Sequence, residues 1–277
     1  MFRCPECPPN TIRSSPSRPC PGAGGTSGVS LALAGIVLAP GLAVGSFLNV
    51  VAARLPLRRS IVKPRSACMS CGTEIAWYDN LPLVSWAALR GRCRSCGAGI
   101  PARYPAVELA TGLLVAGCVL KLGLSGRAAV AAFFCIVLIA ISAIDLEHRI
   151  IPNRIVLPAT VVVLAAQTAL QPSVEWIAAS LGASLFLFAF ALAYPAGLGM
   201  GDVKLALLMG AALGRTVPVA LMIGMISALA PAAVLFARHG SKARKMGIPF
   251  GPFLALGSVV ALFAGGPLLD AYLHVLH

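Results

Sequence analysis

The chain has 277 residues, of which 58% are hydrophobic and only 11% are charged, and its mean hydropathy is +0.87. Soluble domains are about half apolar and about a quarter charged, so this composition excludes an ordinary soluble protein and predicts a polytopic membrane protein. The formal net charge of +13 does not indicate a nucleic-acid partner, because the basic residues fall between apolar segments and do not line one face.

Residues 1–28 form a tail rich in Pro, Ser and Gly. This composition cannot bury enough apolar surface to fold, so we predict a disordered extension or a start codon placed too early. The tail lacks the charged region followed directly by an apolar run that is typical of a cleavable signal. Its three cysteines, Cys4, Cys7 and Cys20, leave open a second metal knuckle, although no histidine lies nearby.

Apolar segments fill the rest of the chain, and a helix needs about 20 residues to cross roughly 30 Å of hydrocarbon. We identify eight segments: Val29–Ala53, Pro105–Leu122, Ala128–Ile144, Ile155–Leu170, Val174–Tyr194, Val203–Leu213, Val217–Ala237 and Phe250 to about Leu269. The sixth would be only roughly 18 Å long, so either the glycine-rich stretch before it is recessed or the helix ends inside the bundle. The predicted fold is an all-α polytopic membrane protein with about eight transmembrane helices.

The distribution of Lys and Arg orients this bundle. If the loop between the first two segments is cytoplasmic, sixteen of the 22 basic residues lie on that side. The positive-inside rule therefore favours this orientation, with both termini outside. The predicted organisation is a first transmembrane segment in 29–53, a cytoplasmic loop in 54–104 and a transmembrane bundle in 105–277. The basic cluster Arg238–Lys245 is expected to contact anionic membrane lipid.

The loop in 54–104 holds two Cys-x-x-Cys pairs, and we call it the four-cysteine loop. The pairs are Cys68 with Cys71 and Cys93 with Cys96, and 21 residues separate them. Two such knuckles complete a closed Cys4 site typical of structural zinc, and a glycine follows each pair where a tight turn is needed. A reducing cytoplasm disfavours disulfides, a thiol redox centre would not need two pairs, and an iron–sulfur centre stays open as a minor alternative.

Two aspartates lie at the ends of apolar segments in a chain with only nine acidic residues. Asp145 follows the third segment, and Asp202 follows the glycine-rich sequence 197–201 before the sixth. A carboxylate at the edge of hydrocarbon is costly, so each is a functional candidate. Taken alone, Asp145 could pair with Arg149, and Asp202 could pair with Lys204 or stabilise a helix N-terminus. The predicted topology places both aspartates on the cytoplasmic side.

Together these motifs resemble the type IV prepilin peptidases, also called leader peptidase and N-methyltransferase. The resemblance covers about residues 29–265. It is carried by the paired cysteines, by both aspartate motifs and by the sequences at 45–56, 77–86, 89–93, 103–109 and 248–253. One departure is Asn153, where many members have Asp.

The resemblance implies a proteolytic dyad of Asp145 and Asp202 in a bacterial inner-membrane bundle of about eight helices. It implies cleavage of a short basic leader from prepilin and pseudopilin precursors, followed by methylation of the new N-terminal amine with S-adenosylmethionine. No glycine-rich nucleotide-binding loop is recognisable, so no residue is assigned to that methyl donor. A cation- or proton-coupled transporter and a noncatalytic assembly factor remain as alternative hypotheses.

Hydrolysis by two carboxylates needs one ionised group to take a proton from water and one neutral group to protonate or polarise the amide. Close carboxylates cannot both ionise cheaply, so we expect the dyad to titrate as a pair. We expect Gly197, Gly199 and Gly201 to let the backbone approach a substrate and to adopt positive φ. Gly199, Gly201, Lys204 and Glu108 are predicted to give substrate or loop support, and Glu108 could equally be a charge at a helix terminus.

Overall fold

A computed structural model describes residues 25–193, 198–240 and 249–276. Within these ranges the regular elements are helices, and the only β pairing is two isolated bridges in the four-cysteine loop. The expectations for residues 1–24, including a second metal knuckle, lie outside the described ranges. Residues 25–28, expected to belong to the tail, are the first turn of the first helix.

The α-helices of the described ranges follow one another in the order α1 Gly25–Arg54, α2 Val84–Ala88, α3 Arg103–Leu122, α4 Gly126–His148, α5 Asn153–Leu170, α6 Glu175–Ala193, α7 Met200–Leu213, α8 Val217–His239 and α9 Gly251–Leu276. Two short 3-10 helices, Trp77–Asn80 and Gly214–Thr216, complete the described helices. Each predicted apolar segment corresponds to one helix, and the observed helices begin between four residues earlier and one residue later than predicted.

Seven stretches of the described chain are long and apolar enough to cross a membrane, and one of them is the 39-residue stretch Met200–Arg238. That stretch breaks at Gly214, where φ is +55°, a conformation that favours glycine, so α7 and α8 are separate helices. The prediction of an all-α protein that crosses the membrane several times is confirmed.

The short sixth segment is α7, which has 14 residues and is therefore about 21 Å long. Most of its side chains are buried, including Leu205, Leu208 and Met209, none of which is exposed. Helices α4, α5, α6, α8 and α9 all contact it. The short helix therefore runs inside the bundle, which is one of the two expected arrangements, and part of the glycine-rich stretch before it lies outside the described residues.

One end of the bundle gathers the starts of α3, α5, α7 and α9 with the end of α4, and we call it the aspartate end. Three long-range contacts define it. Arg103 pairs with Glu147 over 2.8 Å. Lys204 Nζ donates to Asn153 Oδ1 over 2.9 Å, and the Gly251 amide donates to Asp145 over 2.9 Å.

Small residues bring α1 and α3 close together below the four-cysteine loop. A Cβ on Gly45 would lie 2.6 Å from the Cα of Glu108, and a Cβ on Gly112 would lie 2.8 Å from Leu42. Close backbone approach through small residues is the usual way for membrane helices to associate. This packing fixes the start of α3, and with it Glu108, against α1.

Candidate active site

Asp145 occupies the last turn of α4. The helix begins at the N-cap Ser125, whose hydroxyl accepts the Ala128 amide over 3.2 Å, and it ends where Arg149 turns to a φ of +54°. The Asp145 side chain is buried, and its Oδ2 accepts a hydrogen bond from the Gly251 amide over 2.9 Å. The start of α9 therefore holds the carboxyl group from across the aspartate end.

Asp202 is the third residue of α7 and is also buried. Its Oδ2 accepts the Gly199 amide over 3.1 Å, while its own amide donates to the Gly199 carbonyl over 3.1 Å. The carboxylate thus stabilises the α7 N-terminus, as its alternative structural role predicted. Oδ2 bonds a glycine amide in both aspartates, and no donor among the described residues bonds either Oδ1.

Both aspartates lie at the aspartate end, Asp145 in the last turn of α4 and Asp202 in the first turn of α7. Ile151, in the turn after α4, packs on the first turn of α7, because a Cβ on Gly201 would lie 2.9 Å from the Ile151 Cβ. This contact places the two aspartate motifs side by side at one end of the bundle.

Among the described residues, neither aspartate forms the ion pair that the sequence left open for it. The described ranges contain two ion pairs, Arg94 with Asp79 and Arg103 with Glu147, and neither includes Asp145 or Asp202. Arg149 contributes its backbone amide to the Asp145 carbonyl over 2.9 Å, and its charge acts on the Asp145 carboxyl group without forming an ion pair. Among the residues that the structure describes, no basic side chain forms an ion pair with either buried carboxyl group.

Lys204 and Asn153 connect the two aspartate motifs. Lys204 Nζ donates to Asn153 Oδ1 over 2.9 Å, so the start of α7 is tied to the start of α5. The partner of Lys204, Asn153, is the residue that departs from the family pattern. An amide oxygen can accept this hydrogen bond, although a carboxylate would accept it more strongly.

The expectation that Gly199 and Gly201 adopt positive φ is wrong. Gly199 has a φ of −82° in an extended conformation, and Gly201 lies in the first turn of α7. Both positions begin a right-handed helix, which any residue can enter, so helix formation sets their backbone. Glycine is needed at 201 for a different reason, because Ile151 leaves no room for a Cβ. Gly197 lies outside the described residues.

Glu108 lies in the first turns of α3 and is buried, with 8% of its surface exposed. Its Oε2 accepts the Leu83 amide over 2.8 Å, and Leu83 has a φ of +59°, which is unusual for a residue with a side chain. The carboxylate thus holds a turn of the four-cysteine loop in place.

The four cysteines of the loop lie together, with their Sγ atoms all within 4.8 Å of one another. A tetrahedral ion with bonds of about 2.3 Å would separate the sulfurs by roughly 3.8 Å. The Sγ atoms of Cys68 and Cys96 are 3.8 Å apart. Cys68, Cys71, Cys93 and Cys96 could therefore bind one metal ion with little rearrangement.

Each cysteine pair forms the same turn. The Gly72 amide donates to the Cys68 carbonyl and the Gly97 amide to the Cys93 carbonyl, both over 2.9 Å, and both glycines have a φ of +71°. The predicted tight turns are confirmed. Backbone amides of Cys71 and Ser70 lower the pKa of the Cys68 thiol, and those of Cys96 and Ser95 do the same for Cys93. Stabilised thiolates are what a metal ion requires.

Two residues at the aspartate end were not identified from the sequence. Gly251 belongs to a recognised motif, but its sequence gives no sign that its amide reaches Asp145. His148 follows Asp145 by one helical turn, and its Nε2 is buried with no hydrogen-bond partner among the described residues. Its spacing from Asp145 places it near the site, although a lone histidine at a helix end is weak evidence of function.

The chain is similar to known proteins along most of its length. Two protein-family profiles match: Bacterial Peptidase A24 N-terminal domain over residues 39–122 and Type IV leader peptidase family over residues 132–234. The first range contains the four cysteines and Glu108, and the second contains both aspartates. No solved structure matches this chain.

Curated relatives from several bacteria are similar along most of the chain. A Burkholderia pseudomallei (strain 1026b) protein is 39% identical, with 87% of each chain covered. A Bacillus subtilis protein is 35% identical, with 84% of this chain and 95% of the relative covered. A Myxococcus xanthus protein is 52% identical over 118 residues, which are 43% of this chain and 35% of the relative. All three are named prepilin leader peptidase/N-methyltransferase.

Proposed function

This chain belongs to the type IV leader peptidase family, and from that premise we propose that it is a membrane aspartic endopeptidase. It removes the basic leader of type IV prepilins and pseudopilins and then N-methylates the new N-terminal residue. The observation that carries the proposal is the pair of buried carboxyl groups, Asp145 and Asp202, each bonded through Oδ2 to a glycine amide at one end of the bundle.

The dyad can hydrolyse a peptide without a covalent intermediate. A water molecule between the free Oδ1 atoms of Asp145 and Asp202 loses a proton to the ionised carboxylate, and its oxygen bonds to the scissile carbonyl carbon. The carbon–nitrogen bond then breaks, and the amide nitrogen takes a proton from the neutral carboxyl group. The Gly251 and Gly199 amides keep the two groups in position throughout.

Exposed apolar side chains surround the dyad. Leu146, Ile150 and Met200 are 63%, 46% and 53% exposed, although each neighbours an element that carries an aspartate. Such side chains fit membrane lipid or the apolar helix that follows the cleavage site of a prepilin. The substrate helix would approach from the lipid, while its leader stays in water.

The proposed orientation of the protein in the membrane depends on the distribution of Lys and Arg. Sixteen of the 22 Lys and Arg lie on one side if the four-cysteine loop is cytoplasmic. The positive-inside rule then places the aspartate end at the cytoplasmic face of the bacterial inner membrane, where precursors carry their leaders.

Zinc is the metal that best suits the loop. Cys68, Cys71, Cys93 and Cys96 would hold it in a closed tetrahedral site with a structural role. Between residues 55 and 104 only Ser85 and Gly91 are buried, so the loop has almost no core of its own. Metal binding would therefore provide most of its folding free energy. S-adenosylmethionine would supply the methyl group, whose transfer to the new amine releases S-adenosylhomocysteine and a proton.

The test uses purified protein in detergent with a prepilin-like peptide and mass spectrometry of the products. We expect cleavage and a mass gain of one methyl group from the wild-type chain, and no cleavage from Asp145→Asn or Asp202→Asn. Asp270→Asn, an exposed aspartate on the last turns of α9, is the matched control and should cleave normally. Normal cleavage by either dyad variant would refute the assignment. The transporter hypothesis receives no support from the names of the relatives.

A further inference from the structure

Two buried cysteines face each other in the half of the bundle opposite the aspartate end, and we call them the thiol pair. Cys118 lies one turn before the end of α3, and Cys135 lies in the first half of α4. Their Sγ atoms are 4.0 Å apart, and their exposed fractions are 1% and 0%. We propose that hydrogen peroxide converts the thiol pair into a disulfide that ties α3 to α4. This modification does not depend on the catalytic activity proposed above.

The two thiols meet because small residues let α3 and α4 pack closely. Ala131 belongs to the same buried cluster as the thiol pair, and Ala132 packs against that cluster. Short side chains at a helix interface allow the backbones to approach each other, so two cysteine side chains can touch. The sulfurs of a disulfide are about 2 Å apart, so the thiol pair must close by about 2 Å. Rotation of two short side chains with a small shift of the helices provides this movement.

The short connection between α3 and α4 holds the thiol pair in register. The Ser125 hydroxyl donates to the Leu122 carbonyl over 3.0 Å and accepts the Ala128 amide over 3.2 Å. One side chain thus bonds both the end of α3 and the start of α4. Because the two helix ends are fixed against each other, the cysteines are kept at one relative position and do not slide apart.

A cavity of about 140 Å³ lies beside the thiol pair, and we call it the outer cavity. Its lining includes Leu122, Ala131 and Leu262, and the same three residues belong to or pack on the cluster around the thiol pair. Arg127 and Gln171 add polar groups to its walls. A cavity of this volume with polar walls has room for water, and hydrogen peroxide is a neutral molecule of similar size and hydrogen-bonding character. The outer cavity therefore gives peroxide a route to the sulfurs.

The compartment suits a disulfide at this position. In the proposed orientation, the half of the bundle opposite the aspartate end faces the periplasm. Disulfides persist in that oxidising compartment, whereas a reducing cytoplasm removes them. The thiol pair thus differs from the four-cysteine loop, which lies on the cytoplasmic side in the same orientation.

The reaction balances with peroxide as the oxidant. The sulfur of one thiol attacks a peroxide oxygen, the O–O bond breaks, and the products are a sulfenic acid and a water molecule that has taken up the thiol proton. The sulfur of the second thiol then attacks the sulfenic sulfur, the S–O bond breaks, and the hydroxyl leaves as water with the second proton. The two sulfurs lose two electrons in total, and the two peroxide oxygens gain them.

The competing interpretation is that Cys118 and Cys135 are only small apolar side chains of the core. A packing role depends on side-chain volume and does not require the two sulfurs to meet. The observation that favours a reactive pair is the combination of facing sulfurs with a polar cavity that shares their walls. The two interpretations differ in what peroxide does to the protein.

The test treats the purified, metal-loaded protein in detergent with hydrogen peroxide, alkylates the remaining thiols and maps the tryptic peptides by mass spectrometry. Trypsin cleaves after Lys121 and Arg127, so the two cysteines fall in separate peptides. We expect these peptides to be joined with the loss of two hydrogen atoms and to separate again when a thiol reductant is added. Oxidation should also raise the melting temperature of the wild-type chain but not that of Cys118→Ser, because a cross-link restricts the unfolded chain.

Two kinds of variant sharpen this test. Cys118→Ser and Cys135→Ser each leave one thiol, which should stop at a sulfenic acid that dimedone traps. Gln171→Trp fills part of the outer cavity and should slow the joining at least about fivefold, because oxidation follows access. Leu124→Trp is the matched control, since Leu124 is exposed at the same end of the bundle and does not line the cavity.

Three results would overturn the proposal. Sulfenic acid in the single variants without joined peptides in the wild-type chain would show that the sulfurs do not meet. Neither product would show that peroxide does not reach them. Joining of either cysteine to Cys68 or another cysteine of the loop would refute the pairing. Equal rates in Gln171→Trp and Leu124→Trp would refute the route through the outer cavity, and if the melting temperature shows that Gln171→Trp is unfolded, the wild-type peptide map decides.

Discussion

The backbone amide of Gly251 donates to Asp145 Oδ2 over 2.9 Å, across 106 residues of sequence. The same glycine has no room for a side chain, because a Cβ would lie 2.8 Å from that oxygen. Gly251 thus positions Asp145 in two ways, because its amide donates a hydrogen bond to the carboxyl group and because it has no side chain to displace that group.

Gly251→Ala should therefore displace the Asp145 carboxyl group. We expect prepilin cleavage to fall by ~100-fold, because a misplacement of about 1 Å in a catalytic group can have that effect. Gly266→Ala is the matched control on the same helix, since nothing lies within 4 Å of the Cβ that it adds. Initial rates with a peptide substrate check the prediction, and equal rates for both variants would contradict it.

Gly201→Ala should disturb the contact between the two aspartate motifs. The new Cβ would lie 2.9 Å from the Ile151 Cβ, so the start of α7 must shift and carry Asp202 with it. We expect at least a tenfold loss of cleavage, partly restored when Ile151→Ala makes room. Gly182→Ala, where the added Cβ meets nothing within 4 Å, is the control. A double variant no more active than Gly201→Ala would argue against a steric cause.

Lys204 and Asn153 should contribute modestly to stability. Their hydrogen bond is exposed, so Lys204→Met should lower the free energy of unfolding by ~1 kcal/mol or less. Asn153→Asp turns the contact into an ion pair and should raise the melting temperature slightly. Thermal unfolding of both single variants and the double variant measures the coupling. Additive effects would show that the two side chains do not interact in solution.

Removal of the metal should unfold the four-cysteine loop and leave the bundle intact. A strong chelator, or Cys71→Ser with Cys96→Ser, should abolish bound metal while most of the helical circular dichroism remains, because the loop contains few helical residues. Elemental analysis measures the metal and identifies it as zinc or iron. Cys118→Ala, a buried cysteine of α3, is the control and should keep the metal. Retained metal in the double variant would disprove the Cys4 site.

The sequence predicts the features that local pattern controls. The lengths of the apolar segments predict the membrane helices, and the spacing of the two Cys-x-x-Cys pairs predicts the cysteine cluster. The distribution of Lys and Arg among the loops predicts that Asp145 and Asp202 lie at the same end of the bundle. Contacts between backbone segments that are distant in the sequence cannot be predicted in this way. Nothing in the sequence around Gly251 indicates that its amide bonds Asp145, because any residue except proline has an amide to donate. The error at Gly199 and Gly201 has a related cause, since glycine there permits close packing and not an unusual φ.

The short α7 has a consequence for the lipids around the protein. A helix that spans the bilayer must tilt, or deform the lipid around it, when the hydrocarbon thickness changes. Helix α7 is only about 21 Å long and contacts five other helices. Asp202 is therefore carried on an element that neighbouring helices shield from hydrophobic mismatch. In vesicles of short-chain and long-chain lipids, the outer helices would adjust while the geometry of the proposed dyad stays constant.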